Sequence, residues 1–242
     1  MAAAAWYACA RSSVISWQGR FIDEALDKYP KKNNNEGEID FYTFYKEEYI
    51  KIDKLLYRGL KDISIPHSIK RDREKEALFE YKALDEAYSL IKEVIDKNNF
   101  KSIEEYDKVV SIHYSLIDFI DKYSILIINN VCNDNNTEKL EELLNYFNSK
   151  FGLDDNIVFI SKMNSLYSLK KNFDEGFKYL ENSLLRVKKD RDILYEILFN
   201  SYIEHFNYDD AKKRMDDAIK KETDNNLSKE LKELRDYLLW NK

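Results

Sequence analysis

Histidine, the side chain most often used for acid–base chemistry and metal binding near neutral pH, occurs as His67, His113 and His205. Each lies in a different predicted segment, and none has the Glu-x-x-His or His-Glu-x-x-His spacing that places two metal ligands on one helical face. His113 has apolar residues on both sides, which is typical of a core or boundary histidine. The five glycines are scattered and form no phosphate-binding loop. The sequence therefore predicts a non-enzyme, with no cofactor and no metal site.

The charge and the two cysteines restrict the function further. A net charge of −6 argues against a nucleic-acid partner, because neutralising phosphates requires a clustered basic surface. Cys9 and Cys132 fit neither a disulfide framework nor a metal site, which favours a reducing compartment. No apolar stretch reaches the roughly 20 residues that a membrane-spanning helix needs. We therefore expect a cytoplasmic protein that does not span a membrane.

The first residues differ in composition from the rest of the chain. Residues 1–21 contain no acidic residue and include Arg11, Arg20 and three serines, a composition also found in mitochondrial transit segments. Residues 1–30 are thus interpreted as an N-terminal helix or a leader, with mitochondrial targeting as the alternative to a cytoplasmic location.

The elements that would position any binding residues are predicted to be helices. Only 2 prolines accompany the 5 glycines among 242 residues, which leaves little material for the turns of an all-β fold. Apolar residues recur at helical spacing in about nine or ten segments. Among these, Ser102 and Glu105 form a capping-box pattern that predicts a helix continuing to about residue 130. The fold class predicted from these features is all-α.

A repeat is visible in the last third of the chain. Residues 172–178 read NFDEGFK and residues 207–213 read NYDDAKK, 35 positions later. A period of about 34 residues is the signature of stacked helix–turn–helix units, which bury their apolar faces against one another. The five matched positions are Tyr167/Tyr202, Phe173/Tyr208, Gly176/Ala211, Leu180/Met215 and Leu184/Ile219.

These positions have the properties of two packed helices. Tyr167 and Tyr202 would end the first helix of each pair, and Phe173 and Tyr208 would begin the second. The small residue three positions further lets the two backbones approach closely. The pattern resembles the tetratricopeptide repeat (TPR), although the Trp-Leu-Gly of the first helix and the closing proline of that family are absent. The resemblance implies a right-handed superhelix of antiparallel helix pairs over residues 39–242, with the clearest repeats at 157–191 and 192–222 and a capping helix at 227–240.

In a TPR-like fold the outward positions of the first helices line a ligand groove. The resemblance therefore implies a non-catalytic adaptor or scaffold that binds a protein or peptide, and it allows a homodimer. Serine and glutamate stand where chaperone-binding TPR domains carry lysine, so a clamp for a carboxylate tail is not expected, and the glutamates favour a basic segment. The candidate groove residues are Ser161, Ser165 and Ser168 in one repeat, and Glu196, Asn200 and Glu204 in the next.

Two alternatives remain open. Residues 234–240, LRDYLLW, and the segment from Val158 to Met163, which includes Lys162, resemble parts of the 14-3-3 adaptors. That resemblance implies a phosphopeptide ligand, but Leu169 and Lys170 stand where the family has its phosphate-binding Arg-Tyr pair. The other alternative is a peptide-sensing regulator with a TPR receptor domain, for which residues 1–38 offer no recognisable helix-turn-helix.

Overall fold

The computed structural model describes residues 45–60, 73–129 and 136–240. These residues form ten α-helices with short connections, and they contain no strand. The prediction of an all-α fold is confirmed. The chain divides after Phe44 into two units, and all described residues belong to the second. The expectations for residues 1–30, for His67 and for both cysteines lie outside the described residues. The helices are α1 Glu47–Leu60, α2 Arg73–Asn98, α3 Ile103–Val109, α4 Leu116–Ile128, α5 Asn136–Phe151, α6 Ile157–Leu169, α7 Phe173–Arg186, α8 Arg191–His205, α9 Tyr208–Lys221 and α10 Asn225–Trp240.

The predicted single helix from Ser102 to about residue 130 is wrong, because two helices occupy this range. Ser102 caps α3 as expected, accepting a hydrogen bond from the Glu105 backbone N–H. The helix ends after Val109, and a capping box formed by Ser115 and Asp118 starts α4. The Asp107 carboxylate stabilises the break, since it accepts hydrogen bonds from Ser111 Oγ (2.6 Å) and from the Leu116 backbone N–H (2.8 Å).

Consecutive helices pack in pairs, and alternate helices also contact each other. The pairs are α1 with α2, α4 with α5, α6 with α7, and α8 with α9. In addition α2 contacts α4, α4 contacts α6, α6 contacts α8 and α8 contacts α10. We call these five helices the even-numbered row. In the described residues no helix is both long and apolar enough to cross a membrane.

Helix α6 lies between two apolar cores. Phe159 belongs to the core built mainly from α1 to α5, whereas its neighbour Ile160 belongs to the core built from α7 to α10. Neighbouring residues of a helix point in directions about 100° apart, so one helix can serve both cores. The amphipathic second helices α7 and α9 bury their apolar faces against the second core at the positions that the repeat predicts: Leu180, Leu184, Ala211, Met215 and Ile219.

The repeat positions at the inter-helix turn pack as the sequence indicates. Phe173 begins α7 and Tyr208 begins α9. A Cβ atom on Gly176 would lie 3.1 Å from the Cβ of Tyr167, so the backbones of α6 and α7 approach closely there. Helix α10 lies a further 35 positions after α8, and Tyr237 corresponds to Tyr202 in this spacing. The described part of the chain has no helix after α10, and Tyr237 is accordingly 67% exposed whereas Tyr202 is 2% exposed.

Candidate functional site

Three of the predicted groove residues form a recessed strip on α6. This helix contacts four others, α4, α5, α7 and α8. None of its residues is fully exposed, and Ser161, Ser165 and Ser168 are half-buried. Their spacing of four and three residues puts them on one side of the helix. We call these three residues the serine strip.

The hydroxyl groups of the serine strip differ in their partners. Ser165 Oγ donates to the Ser161 carbonyl at 3.1 Å, a bond within the helix. The hydroxyls of Ser161 and Ser168 have no hydrogen-bond partner within residues 45–60, 73–129 and 136–240. The serine strip therefore has unused hydrogen-bonding capacity on this side of α6.

The other three predicted residues follow one another along the neighbouring helix α8. Glu196, Asn200 and Glu204 are four residues apart, which places them on one side of the helix. Glu196 and Asn200 are half-buried and Glu204 is exposed. The Asn200 amide and the Glu204 carboxylate have no hydrogen-bond or ion-pair partner in the part of the chain that the structure describes. The α8 row thus offers an amide and a carboxylate to a ligand.

A buried hydrogen bond joins the two helices beside these rows. Asn164 Nδ2 of α6 donates to Ser201 Oγ of α8 at 3.1 Å, and both side chains are buried. Ser201 Oγ in turn donates to the Ile197 carbonyl at 2.9 Å. Sequence reasoning missed this pair, because no local pattern indicates that these two side chains meet.

Helical geometry places both rows on the same side of this hydrogen bond. Two short turns reverse the chain between α6 and α8, so these helices run in the same direction. On α6, Ser161 lies three positions before Asn164 and Ser168 lies four positions after it. The serine strip therefore runs beside Asn164. Glu204 follows Ser201 by three positions. Helical geometry therefore supports the prediction that the two rows face the same side of α6 and α8.

Two lysines near this surface are held in ion pairs. Lys162 of α6 is buried, and its ammonium lies 2.6 Å from the Asp121 carboxylate of α4. Lys170, which follows α6, lies 2.6 Å from the Glu141 carboxylate. For the buried Lys162, this pairing leaves little attraction for a ligand anion. The lysine that carries the 14-3-3 resemblance is thus a link between helices.

The two described histidines have structural partners in separate places. His113, in the connection between α3 and α4, donates its backbone N–H to Asp53 Oδ1 (3.1 Å), and its Nδ1 lies 2.9 Å from Asp53 Oδ2. Asp53 is buried in α1 while the His113 ring is half-exposed. His205 donates from Nδ1 to the Ser201 carbonyl at 2.8 Å, and its ring centre lies 4.0 Å from that of Phe173. The structure accordingly shows His113 as a boundary histidine, and it brings no group of three or more His, Cys, Asp or Glu residues together among those described.

Two surface clefts lie away from the predicted groove residues. A cleft of about 230 Å³ between α7 and α9 is lined by Asp174, Phe177, Lys178, Glu181 and Arg214. The Arg214 guanidinium stacks 3.9 Å from the centre of the Phe206 ring. An open cleft of about 850 Å³ along α1 is lined mostly by lysine and glutamate side chains. Neither cleft contains a residue of the serine strip or of the α8 row.

Comparisons with models of protein families, with curated proteins and with solved structures give no match for this chain.

Proposed function

We propose that this protein is a non-catalytic adaptor or scaffold that binds a protein or peptide segment across the serine strip and the α8 row. The observation that carries this proposal is a set of half-buried polar side chains, those of Ser161, Ser168 and Asn200, that have no partner among the residues that the structure describes. Such groups are open to hydrogen bonds from water or from a ligand. A ligand backbone would replace water on these hydroxyl and amide groups, as it does in many peptide-binding grooves.

The arrangement of the helices supports a groove-forming architecture. Each member of the even-numbered row contacts the next, whereas the second helices lie beside the row. In a right-handed TPR-like superhelix, which we propose for residues 45–240, such a row lines the concave side. The proposal also places the protein in a reducing compartment, the cytoplasm, because neither cysteine fits a disulfide framework.

The phosphopeptide-binding alternative has weaker support. Binding a phosphate requires arginine or lysine side chains that are free to make charge-assisted hydrogen bonds. Lys162 and Lys170 are paired with Asp121 and Glu141 instead. The peptide-sensing regulator would need a DNA-binding segment, and its candidate region, residues 1–38, lies outside the described residues.

The proposal can be tested with peptides selected from a random phage-displayed library on the full chain. We expect Ser165→Arg to abolish binding of the selected peptides, because a long side chain would fill the serine strip. Asn200→Ala should weaken binding and leave thermal stability unchanged. Binding is measured by fluorescence anisotropy with labelled peptides, and unfolding by circular dichroism.

Two matched controls are available in the chain. Ser89 makes the same kind of bond to the carbonyl four residues earlier as Ser165 does, but on an exposed part of α2. Asn182 is an exposed asparagine on α7. Ser89→Arg and Asn182→Ala should leave affinity unchanged. Loss of binding in these controls, or full binding by Ser165→Arg and Asn200→Ala, would refute the groove.

A further inference from the structure

We infer that the ligand segment is basic and carries no phosphate at the point where it contacts α6 and α8. This inference rests on the proposed function and specifies the chemistry of the partner. It comes from the charges of the three helices that would line the groove, α4, α6 and α8. Their cations are engaged in ion pairs, whereas the Glu204 carboxylate has no partner among the residues that the structure describes.

These helices carry three cations, and each of them pairs with a carboxylate. Lys162 in α6 lies 2.6 Å from Asp121. The remaining two are Lys122 in α4, whose ammonium lies 3.1 Å from Glu80, and Arg191 in α8, whose guanidinium lies 2.6 Å from Glu222. If the buried Lys162 ammonium bound a ligand phosphate instead, the Asp121 carboxylate would lose its partner. Breaking a buried ion pair in this way is costly in free energy.

Carboxylates outnumber cations on these three helices. The three helices carry the carboxylates of Asp118, Asp121, Asp192, Glu196 and Glu204 against the three cations. Glu204 is exposed at the end of the α8 row, one turn from Asn200. Within the described ranges it has no ion-pair or hydrogen-bond partner. A phosphate group, with a charge of about −1.5 to −2 at pH 7, would be repelled here, whereas a lysine or arginine of the ligand would be attracted.

The geometry combines the two kinds of contact that such a segment needs. The serine hydroxyls and the Asn200 amide can bond the ligand backbone, which is common to all peptides. Glu204 lies at the edge of the same surface and can select a cationic side chain. Electrostatic complementarity of this kind contributes mainly to specificity and to the association rate.

The test uses peptides from the random library and synthetic versions of them. Selected peptides should be enriched in lysine and arginine relative to the starting library. Replacing their basic residues by alanine, or adding a phosphoserine, should weaken binding. Glu204→Lys should weaken binding about threefold or more, which is the order of effect expected for reversing one exposed charge. High ionic strength should reduce this difference, since exposed charges are screened.

A control variant and the pattern of outcomes distinguish the basic-ligand inference from the proposed function. Glu93, an exposed glutamate on α2, provides the control variant Glu93→Lys, which should bind like the original protein. If Ser165→Arg weakens binding but Glu204→Lys does not, or if phosphorylated peptides bind more tightly, the basic-ligand inference is overturned and the groove stands. If Ser165→Arg leaves binding of all selected peptides unchanged, the proposed function itself fails.

Discussion

Asn164 Nδ2 donates a buried hydrogen bond to Ser201 Oγ across 3.1 Å, joining α6 to α8 beside the candidate groove. Ser201→Ala would leave the Asn164 amide without its acceptor, and an unsatisfied buried donor costs about 1–3 kcal/mol. We expect a loss of this size in the free energy of unfolding, measured by urea denaturation. Ser165→Ala, which removes only a bond within one helix, should cost less than about 0.5 kcal/mol. Equal losses in both variants would contradict a role for this bond in holding the helices together.

Two glycines should respond differently to alanine. A Cβ on Gly59 would overlap with the buried side chain of Leu84, whereas a Cβ on Gly176 would meet Tyr167 Cβ at 3.1 Å, a tight but adjustable contact. We expect Gly59→Ala to destabilise the fold by about 2 kcal/mol or more, as overpacking does. Gly176→Ala should change stability by less, because alanine also favours a helix by about 1 kcal/mol. Gly176→Leu should be strongly destabilising. Thermal unfolding of the three variants provides the measurement, and a more stable Gly59→Ala protein would show that α1 and α2 are not this close.

The period-related tyrosines Tyr202 and Tyr237 should differ sharply in their contribution to stability. Tyr202 is buried, its hydroxyl donates to Glu181 Oε1 at 2.7 Å, and its ring centre lies 5.3 Å from that of Phe177. Tyr202→Ala should lower the free energy of unfolding by about 3–5 kcal/mol, as large-to-small changes in a core do. Tyr237→Ala, at the corresponding exposed position, should stay within about 0.5 kcal/mol. If both variants lost the same stability, the assignment of Tyr237 to the open end of the repeats would be wrong.

The Asp107 carboxyl should make stability depend on pH. Burial raises its pKa from 3.8 to about 6, although hydrogen bonds from Ser111 and Leu116 oppose the shift. Between about pH 4 and pH 6 the folded state therefore holds a proton that the unfolded chain has lost, so this group's contribution to stability decreases as pH rises. A shift of about 2 units corresponds to about 3 kcal/mol.

The measurement for Asp107 is the free energy of unfolding of the original protein and of Asp107→Asn across this pH range. The Asn side chain keeps an oxygen for both hydrogen bonds and does not titrate. We expect the advantage of the Asn variant to grow from pH 4 to pH 6 and to stay constant above it. A constant difference across the whole range would mean that Asp107 titrates normally in the folded protein.

The helices of the repeat were predictable because their signals are local. Phe173 and Tyr208 were expected at the starts of second helices, and α7 and α9 begin at these residues. Periodic apolar positions bury one face of a helix wherever the helix packs. The break between α3 and α4 was missed for the opposite reason. Its anchors include Asp53, which binds His113 from 60 positions away in the sequence, and no local pattern reports such a contact.

The candidate site was only partly predictable. The six groove residues were chosen from helical spacing and from the resemblance to TPR proteins, and spacing suffices to put each set of three on one side of its helix. The pairs that fasten these helices to their neighbours, Asn164 with Ser201 and Lys162 with Asp121, were missed. Each pair combines residues from two helices, and residue types alone do not indicate which of many polar side chains will meet.

The sequence by itself determined the helices, the period of 35 residues and the small residue at each helix crossing, because these follow from the apolar pattern and side-chain size along a short stretch of chain. The tertiary structure alone decided which period-related positions are covered and which charges remain available. Tyr202 and Tyr237 share a residue type and a place in the repeat, but only Tyr202 has a following helix packed over it. Likewise, Lys162 is buried in an ion pair with Asp121 of α4, whereas the Glu204 carboxylate is exposed and can contact a partner. Burial and ion pairing depend on the elements that lie next to a residue in space, and these come from distant parts of the chain.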